Sequence, residues 1–282
     1  MKYPPPPYPA EAGWRQSNGK LARDGETNKC GALYQNRTVK KHGNEIDPDA
    51  GAGEGIPFWK RALDIVCIIA SAPVWLPLGL FVAGMIKLVS PGPAFFRQER
   101  VGYLGRRFGC LKFRTMAVNA DTSVHQGHLE GLMNSNCPMT KLDKAGDARL
   151  IPCGLFLRTL GLDELPQLIN VLKGEMSLVG PRPCLPYEYE RYLPRHRKRC
   201  AALPGLTGLW QTNGKNKTTF EEMIELDVYY AKHKSLLMDL KIIMMTIPAL
   251  MEQAEDVNRA NKETVSPPVG RVGVRRVADQ QL

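Results

Sequence analysis

The chain has 282 residues, 43% of them hydrophobic, an ordinary content for a protein that builds a core of one sizeable domain or two small ones. Lysine and arginine number 38 against 28 aspartate and glutamate, and the formal charge of +10 points to an anionic partner: a lipid surface, a phosphorylated substrate or nucleic acid. Nucleic acid is set aside, because aromatic content is 7% and no stretch interleaves basic residues with stacking rings.

The chain opens on "MKYPPPPYP", a polyproline tract with no secretory signal. Residues 1 to 56 are rich in Pro, Gly, Asn and charge without periodicity, so disorder is expected there, and likewise for the basic tail 253 to 282. Seven cysteines, at 30, 67, 110, 137, 153, 184 and 200, contain no CxxC pair and read as reduced thiols facing the cytoplasm.

The first apolar run is "FWKRALDIVCIIASAPVWLPLGLFVAGMIKLVSPGP". Between Asp64 and Lys87 lie 22 residues without a formal charge. As a straight helix they would span roughly 33 Å, against about 30 Å for a bilayer core. Two features speak against a simple span. Pro73 and Pro77 interrupt the centre, and both flanks are basic, with Lys60 and Arg61 before and Lys87, Arg97, Arg100, Arg106 and Arg107 after. A re-entrant helix over 57–96, broken near Ser71-Ala72-Pro73 with limbs of about 15 Å, satisfies both. A buried core helix and a kinked span are the alternatives.

Downstream, "PAFFRQERVGYLGRRFGCLKFRTM" has the Gly punctuation of a hairpin, and a short helix is expected around Asp121 to Met133. From Leu165, apolar residues at 165, 168, 169 and 172 mark one face of a helix that stops near Gly174. "MSLVGPRP" and "PGLTGLWQTNGKNK" read as short strands with turns. "TFEEMIELDVYYAKHK" reads as a helix. "SLLMDLKIIMMTIPALM", with Ser235 as a candidate cap, reads as a helix lying in a membrane interface or buried in a core.

Chemistry concentrates at "GLDELPQLIN". Asp163 and Glu164 point about 100° apart on a helix and so are no facing glycosidase pair. They precede Pro166, which suits a helix's first turn, so they fit either helix capping or a site for a metal-bound phosphate. Arg158 lies just upstream, Arg182 sits in "GPRP", and "LKFRTM" adds Lys112 and Arg114. Guanidinium forks and ammonium groups match phosphate oxygens, so two acids among several cations suit a metal-bound diphosphate. His125 and His128 lack supporting ligands and are expected to face solvent; "RHRKR", 195 to 199, is expected to be a solvated or lipid-facing surface. No nucleophile elbow or Walker-type loop is present.

In order, "KRALDIVCIIASAPVWLPL", "KFRTM", "RTLGLDELPQLINVLKGEMSLVGPRP", "PGLTGLWQTNGKNK" and "ELDVYYAKHKSLLMDLKI" resemble the bacterial sugar transferases, the monotopic polyprenyl-phosphate phosphoglycosyl transferases that start exopolysaccharides. The resemblance covers about residues 57 to 252. It implies a mainly α fold with a few short strands: a re-entrant membrane helix (57–96), a cytoplasmic catalytic domain (97–252) and interfacial amphipathic helices on the inner membrane. It implies a retaining, two-step transfer of sugar phosphate, of galactose or glucose, from a UDP-sugar to undecaprenyl phosphate. Asp163 would be the nucleophile, and Glu164 would join it in holding Mg²⁺ or orient it. Arg182 and Lys112 would contact phosphate. Gly161 departs from the Ser or Thr common in the family. The rival reading is a non-catalytic, basic membrane-surface adaptor, which would bind lipid in a salt-sensitive way and release no UMP.

Overall fold

The computed structural model describes residues 55–118, 123–133, 135, 137–139, 149–214 and 218–265. Of the segments expected to be disordered, residues 1–54 and 266–282 lie outside the described residues, whereas 253–265 is helical, a correction to that expectation.

Helix α1 (Phe58–Val89) starts after Pro57 and ends at the Ser90-Pro91-Gly92-Pro93 turn. The expected interruption at Ser71-Ala72-Pro73 is instead a helix that continues through both Pro73 and Pro77. Proline removes a backbone donor: Pro73 lacks the one that would reach the Ile69 carbonyl, and Pro77 the one that would reach the Pro73 carbonyl. The Ser71 hydroxyl donates to the carbonyls of Cys67 (2.7 Å) and Ile68 (3.3 Å), and the Trp75 indole N–H reaches back to Ile68 (3.1 Å).

Only 11% of the most apolar window of α1 is buried, so it is not the core helix of a soluble domain. Val66, Ile69, Val74, Leu80 and Phe81 are exposed. Each such side chain is worth about 1.5–3 kcal/mol when withdrawn from water, so the helix is suited to membrane association. Both of its ends nevertheless dock on one folded body. Ile68 packs with Cys110, Leu168, Val171 and Met176, whereas Val82 and Ile86 pack with Ala94, Phe113, Ile151 and Leu157.

The predicted hairpin forms: β1 (Phe95–Val101) and β2 (Arg107–Phe113) are antiparallel, pairing Phe95 with Phe113 and Val101 with Arg107. α2 (Ser123–Met133) and α3 (Gly154–Thr159) follow, then a 3₁₀ turn over Leu162–Glu164 and α4 (Gln167–Lys173), which stops at Gly174 as its sequence predicts. The short strand β3 (Ser177–Val179) has its partner far along the chain. It runs parallel to β4 (Gly205–Thr207), with α5 (Pro186–Glu190) and α6 (Pro194–Arg197) between them.

α7 (Leu209–Thr212) leads to α8 (Phe220–His233), whose start is fixed by a capping box between Thr219 and Glu222. Phe220, Met223, Ile224 and Val228 of α8 join Val101, Leu185, Tyr192 and Trp210 in one core cluster. Ser235 caps α9 (Leu236–Val265) by accepting from the Met238 N–H, and α9 continues past residue 252. Met238 and Ile242 enter the core while Leu237, Met244, Ile247 and Met251 stay exposed, so α9 is both a core helix and an apolar surface. Cys67, Cys110, Cys153, Cys184 and Cys200 are free thiols.

Candidate active site

The two acids sit on a tight connection. α3 ends at Leu160, and Gly161 turns the chain with φ +69°, the left-handed region that glycine enters freely. Glu164 N–H then bonds to the Gly161 carbonyl and Leu165 N–H to that of Leu162, closing the 3₁₀ turn. The N-cap of α4 is Pro166, so both acids lie just ahead of that position, in the 3₁₀ turn. Asp163 is 9% exposed and sheltered. The Glu164 side chain, at 42%, reaches solvent.

Three elements hold this turn. Asn170 of α4 accepts from the Leu111 N–H (2.9 Å) and donates to the Gly109 carbonyl (2.9 Å) and to Glu175 (2.6 Å), locking α4 along the free edge of β2. Arg61 of α1 donates to the carbonyls of Val171 (2.7 Å) and Leu172 (3.2 Å) near the end of α4, where helices leave carbonyls unpaired. With α4 and β2 in register, Lys112 reaches Glu164 at 2.8 Å. The result is a sheltered carboxylate beside an accessible carboxylate–ammonium pair, where an ammonium can neutralise an incoming phosphate.

The other expected cations take separate positions. Arg158 lies in the last turn of α3, just before Gly161. Arg114 is buried and directed at the exit of α1, donating to the carbonyls of Pro93 (2.7 Å) and Ser90 (3.0 Å). Arg182 lies on the turn between β3 and α5, with Nη1 3.7 Å from Glu188 Oε1.

Among the described residues no group of three or more His, Cys, Asp or Glu gathers to hold a metal. The Asp163–Glu164 pair still fits Mg²⁺, a hard cation that characteristically takes one or two protein carboxylates and completes its shell with substrate phosphates and water.

Several buried charges escaped the sequence reading. Lys60 of α1 donates to the Val179 carbonyl (2.8 Å), Tyr230 (2.8 Å) and Asp239 (2.6 Å). Tyr230 in turn donates to Asp239 at 2.7 Å. Asp64 accepts from Ser177 and from the Leu178 N–H, both at 2.9 Å. The run 195–199 is not wholly a surface: His196 and Arg199 point inward, and Arg199 is 1% exposed. Arg199 pairs with buried Asp227 of α8. Burial disfavours the Arg199 cation, but Tyr192 and Asp227 hold its guanidinium above the ordinary arginine value. Burial pushes the Asp227 carboxyl up to about 6, against the pull of Arg199. The available signal was Asp227 itself, an acid on the apolar face of α8 between Ile224 and Ala231.

Comparison with known proteins agrees in extent with this folded region. The pattern of the family described as "Bacterial sugar transferase" matches residues 56–253. The chain is 39% identical over 191 residues to the exopolysaccharide production protein ExoY of Sinorhizobium fredii, covering 68% of this chain and 84% of that protein. It is 40% identical over 200 residues to the UDP-glucose:undecaprenyl-phosphate glucose-1-phosphate transferase of Caulobacter vibrioides, covering 68% and 69%. It is 37% identical over 200 residues to the undecaprenyl-phosphate galactose phosphotransferase of Salmonella typhimurium, covering 70% of this chain and 41% of that longer protein.

Proposed function

We propose that this chain, which belongs to the bacterial sugar transferase family, transfers a sugar-1-phosphate from a UDP-sugar to undecaprenyl phosphate, with galactose or glucose as the sugar. The names of the Salmonella and Caulobacter relatives motivate the substrates. The observation that carries the chemistry is the sheltered Asp163 carboxylate, on the turn that leads into α4, beside Glu164 with Lys112 at 2.8 Å.

In the first step an Asp163 carboxylate oxygen attacks the β-phosphorus of the donor. A phosphorus–oxygen bond to the bridging oxygen breaks, UMP leaves with the bond's electrons, and the sugar phosphate is held on Asp163 as an acyl phosphate. In the second step an oxygen of the lipid phosphate attacks the same phosphorus, releasing the carboxylate and giving polyprenyl-diphosphate-sugar. An anionic nucleophile approaching an anionic diphosphate needs cations near the phosphate oxygens. Lys112 supplies one from β2, and Arg182 supplies another from its proline-flanked turn. Mg²⁺, held by Glu164 and Asp163, supplies further charge neutralisation when bound.

In this reading α1, bent at Pro73 and Pro77 rather than broken, enters and leaves one leaflet of the inner membrane, so the site stays on the cytoplasmic face beside the lipid headgroups. Support comes from the docking of both ends of α1 on one body and from the exposed apolar residues between them. The test is UMP release from UDP-galactose and UDP-glucose, with undecaprenyl phosphate, Mg²⁺ and detergent. Turnover is expected with one of these donors and none with Asp163→Asn. Near-normal UMP release by that variant would refute the nucleophile. Salt-sensitive lipid binding with no UMP from any UDP-sugar would favour the adaptor.

A further inference from the structure

The turn carrying Arg182 is bound at every carbonyl from 181 to 184. Pro181 accepts from Gly205 N–H (2.9 Å), Arg182 from Arg199 Nη2 (2.9 Å), Pro183 from Arg100 Nη1 (3.0 Å), and Cys184 from Val101 N–H (2.8 Å). Two of these four donors are buried arginines brought in from distant segments. Nor is there room to relax beneath: a Cβ at Gly180 would collide with the Leu203 carbonyl.

A second path reaches the same residue through its side chain. Arg199 Nη1 donates to the Tyr192 hydroxyl (2.7 Å), which donates to Glu188 Oε2 (3.3 Å). The other Glu188 oxygen faces Arg182 Nη1 at 3.7 Å. Arg199 thus grips Arg182 twice, at the main-chain oxygen and through Tyr192 and Glu188 at the guanidinium. Asp227 pairs with Arg199 and also lies close to Arg182.

The charges in this cluster do not balance. Arg100, Arg182 and Arg199 face Glu188 and Asp227, three positive against two negative. Burial, with Arg182 beside it, lowers the Arg100 guanidinium from its ordinary value. A buried cation without a counter-charge is unfavourable, so the cluster is one anion short. Arg182 is its most open member, with a side chain 25% exposed. Its Nη1, Glu188 Oε1 and the Tyr187 hydroxyl have no hydrogen-bond partner among the described residues.

We infer that Arg199, Tyr192 and Glu188 form a positioning network that fixes the Arg182 guanidinium to receive a phosphate of the nucleotide-sugar donor. The inference rests on the reading above, in which Arg182 contacts that phosphate. A general scaffold would lower stability or turnover without choosing between substrates. A positioning network acts on the donor alone.

The test uses the full chain in detergent with the UDP-sugar that turns over, and two changes that preserve net charge. R199K keeps the cation and loses the fork; Y192F removes one hydroxyl and keeps the ring. Each should raise KM for the UDP-sugar about tenfold, the scale of one charge-assisted contact, and leave kcat within about threefold. KM for undecaprenyl phosphate should stay as in the wild type. R182A removes the cation itself and should raise donor KM at least as far while also lowering kcat, and Y192F in the R182A background should add little, because both act through one group. If R182A leaves donor KM unmoved, the phosphate role of Arg182 falls, and the inference with it. If R182A raises donor KM while folded R199K and Y192F do not, the network is only scaffold and the inference is overturned. If R199K fails to fold, Y192F decides alone. E188Q adds a check on charge: it makes the cluster more positive, so tighter donor binding would contradict positioning, and weaker binding would support it.

Discussion

Replacing Asn170 with alanine tests whether α4 and β2 are tied as the geometry requires. The change removes three hydrogen bonds at once and leaves the Leu111 N–H and the Gly109 carbonyl without their side-chain partner. Each polar group stranded away from water costs about 1–3 kcal/mol. Gly109 is buried and Leu111 partly so, which puts the sum at about 2–4 kcal/mol by the same rule. For a folded region of this size, each kcal/mol lowers Tm by about 2–4 °C, so a fall of about 5–15 °C is expected in detergent-solubilised protein followed by intrinsic fluorescence. Activity should fall further than stability explains, because Lys112 and Glu164 depend on that register, and a misplacement of about 1 Å can cost about a hundredfold in rate. N170D should be no milder. It keeps an acceptor for Leu111 but turns a second oxygen toward the Gly109 carbonyl and the Glu175 carboxylate. A Tm within about 2 °C of wild type together with full UMP release would show that α4 is held by other means.

Lys60→Met leaves Asp239 buried without its cation, and such a break should cost about 3–5 kcal/mol, read as a large drop in Tm or failure to accumulate in membranes. A loss under about 1 kcal/mol would mean water reaches Asp239. Gly161→Ala meets no atom within 4 Å but must adopt φ +69°, so about 1–2 kcal/mol of stability is expected to go. A larger loss in thermal unfolding would point to a contact that the geometry lacks.

Local features were legible in the chain. The 22 charge-free residues announced α1, and the acids before Pro166 announced a turn ahead of α4, because both signals lie within one element. What was hidden depends on distant partners. Lys60 and Asp64 read as flanking charges, yet they turn inward because Asp239 and Ser177, more than 110 residues away, receive them. The strands β3 and β4 have three residues each, too few for any alternation, and their pairing is set by the elements between them. The basic run 195–199 misled for a related reason. It spans a four-residue helix and a 3₁₀ turn, too short to show a period, so the inward His196 and Arg199 could not be told from their exposed neighbours. Proline at 73 and 77 did predict a break in α1, but the helix runs through both.

The proposed mechanism requires a covalent bond between Asp163 and the phosphorus of the donor's sugar phosphate. Intact-mass measurement of the full chain, mixed with Mg²⁺ and the UDP-sugar that supports turnover but no lipid acceptor, tests it directly. The expected result is a mass increase of one hexose phosphate, one UMP released per modified chain, loss of the adduct on adding undecaprenyl phosphate, and no adduct on D163N. An unmodified mass, from protein that turns over when both substrates are present, would contradict it.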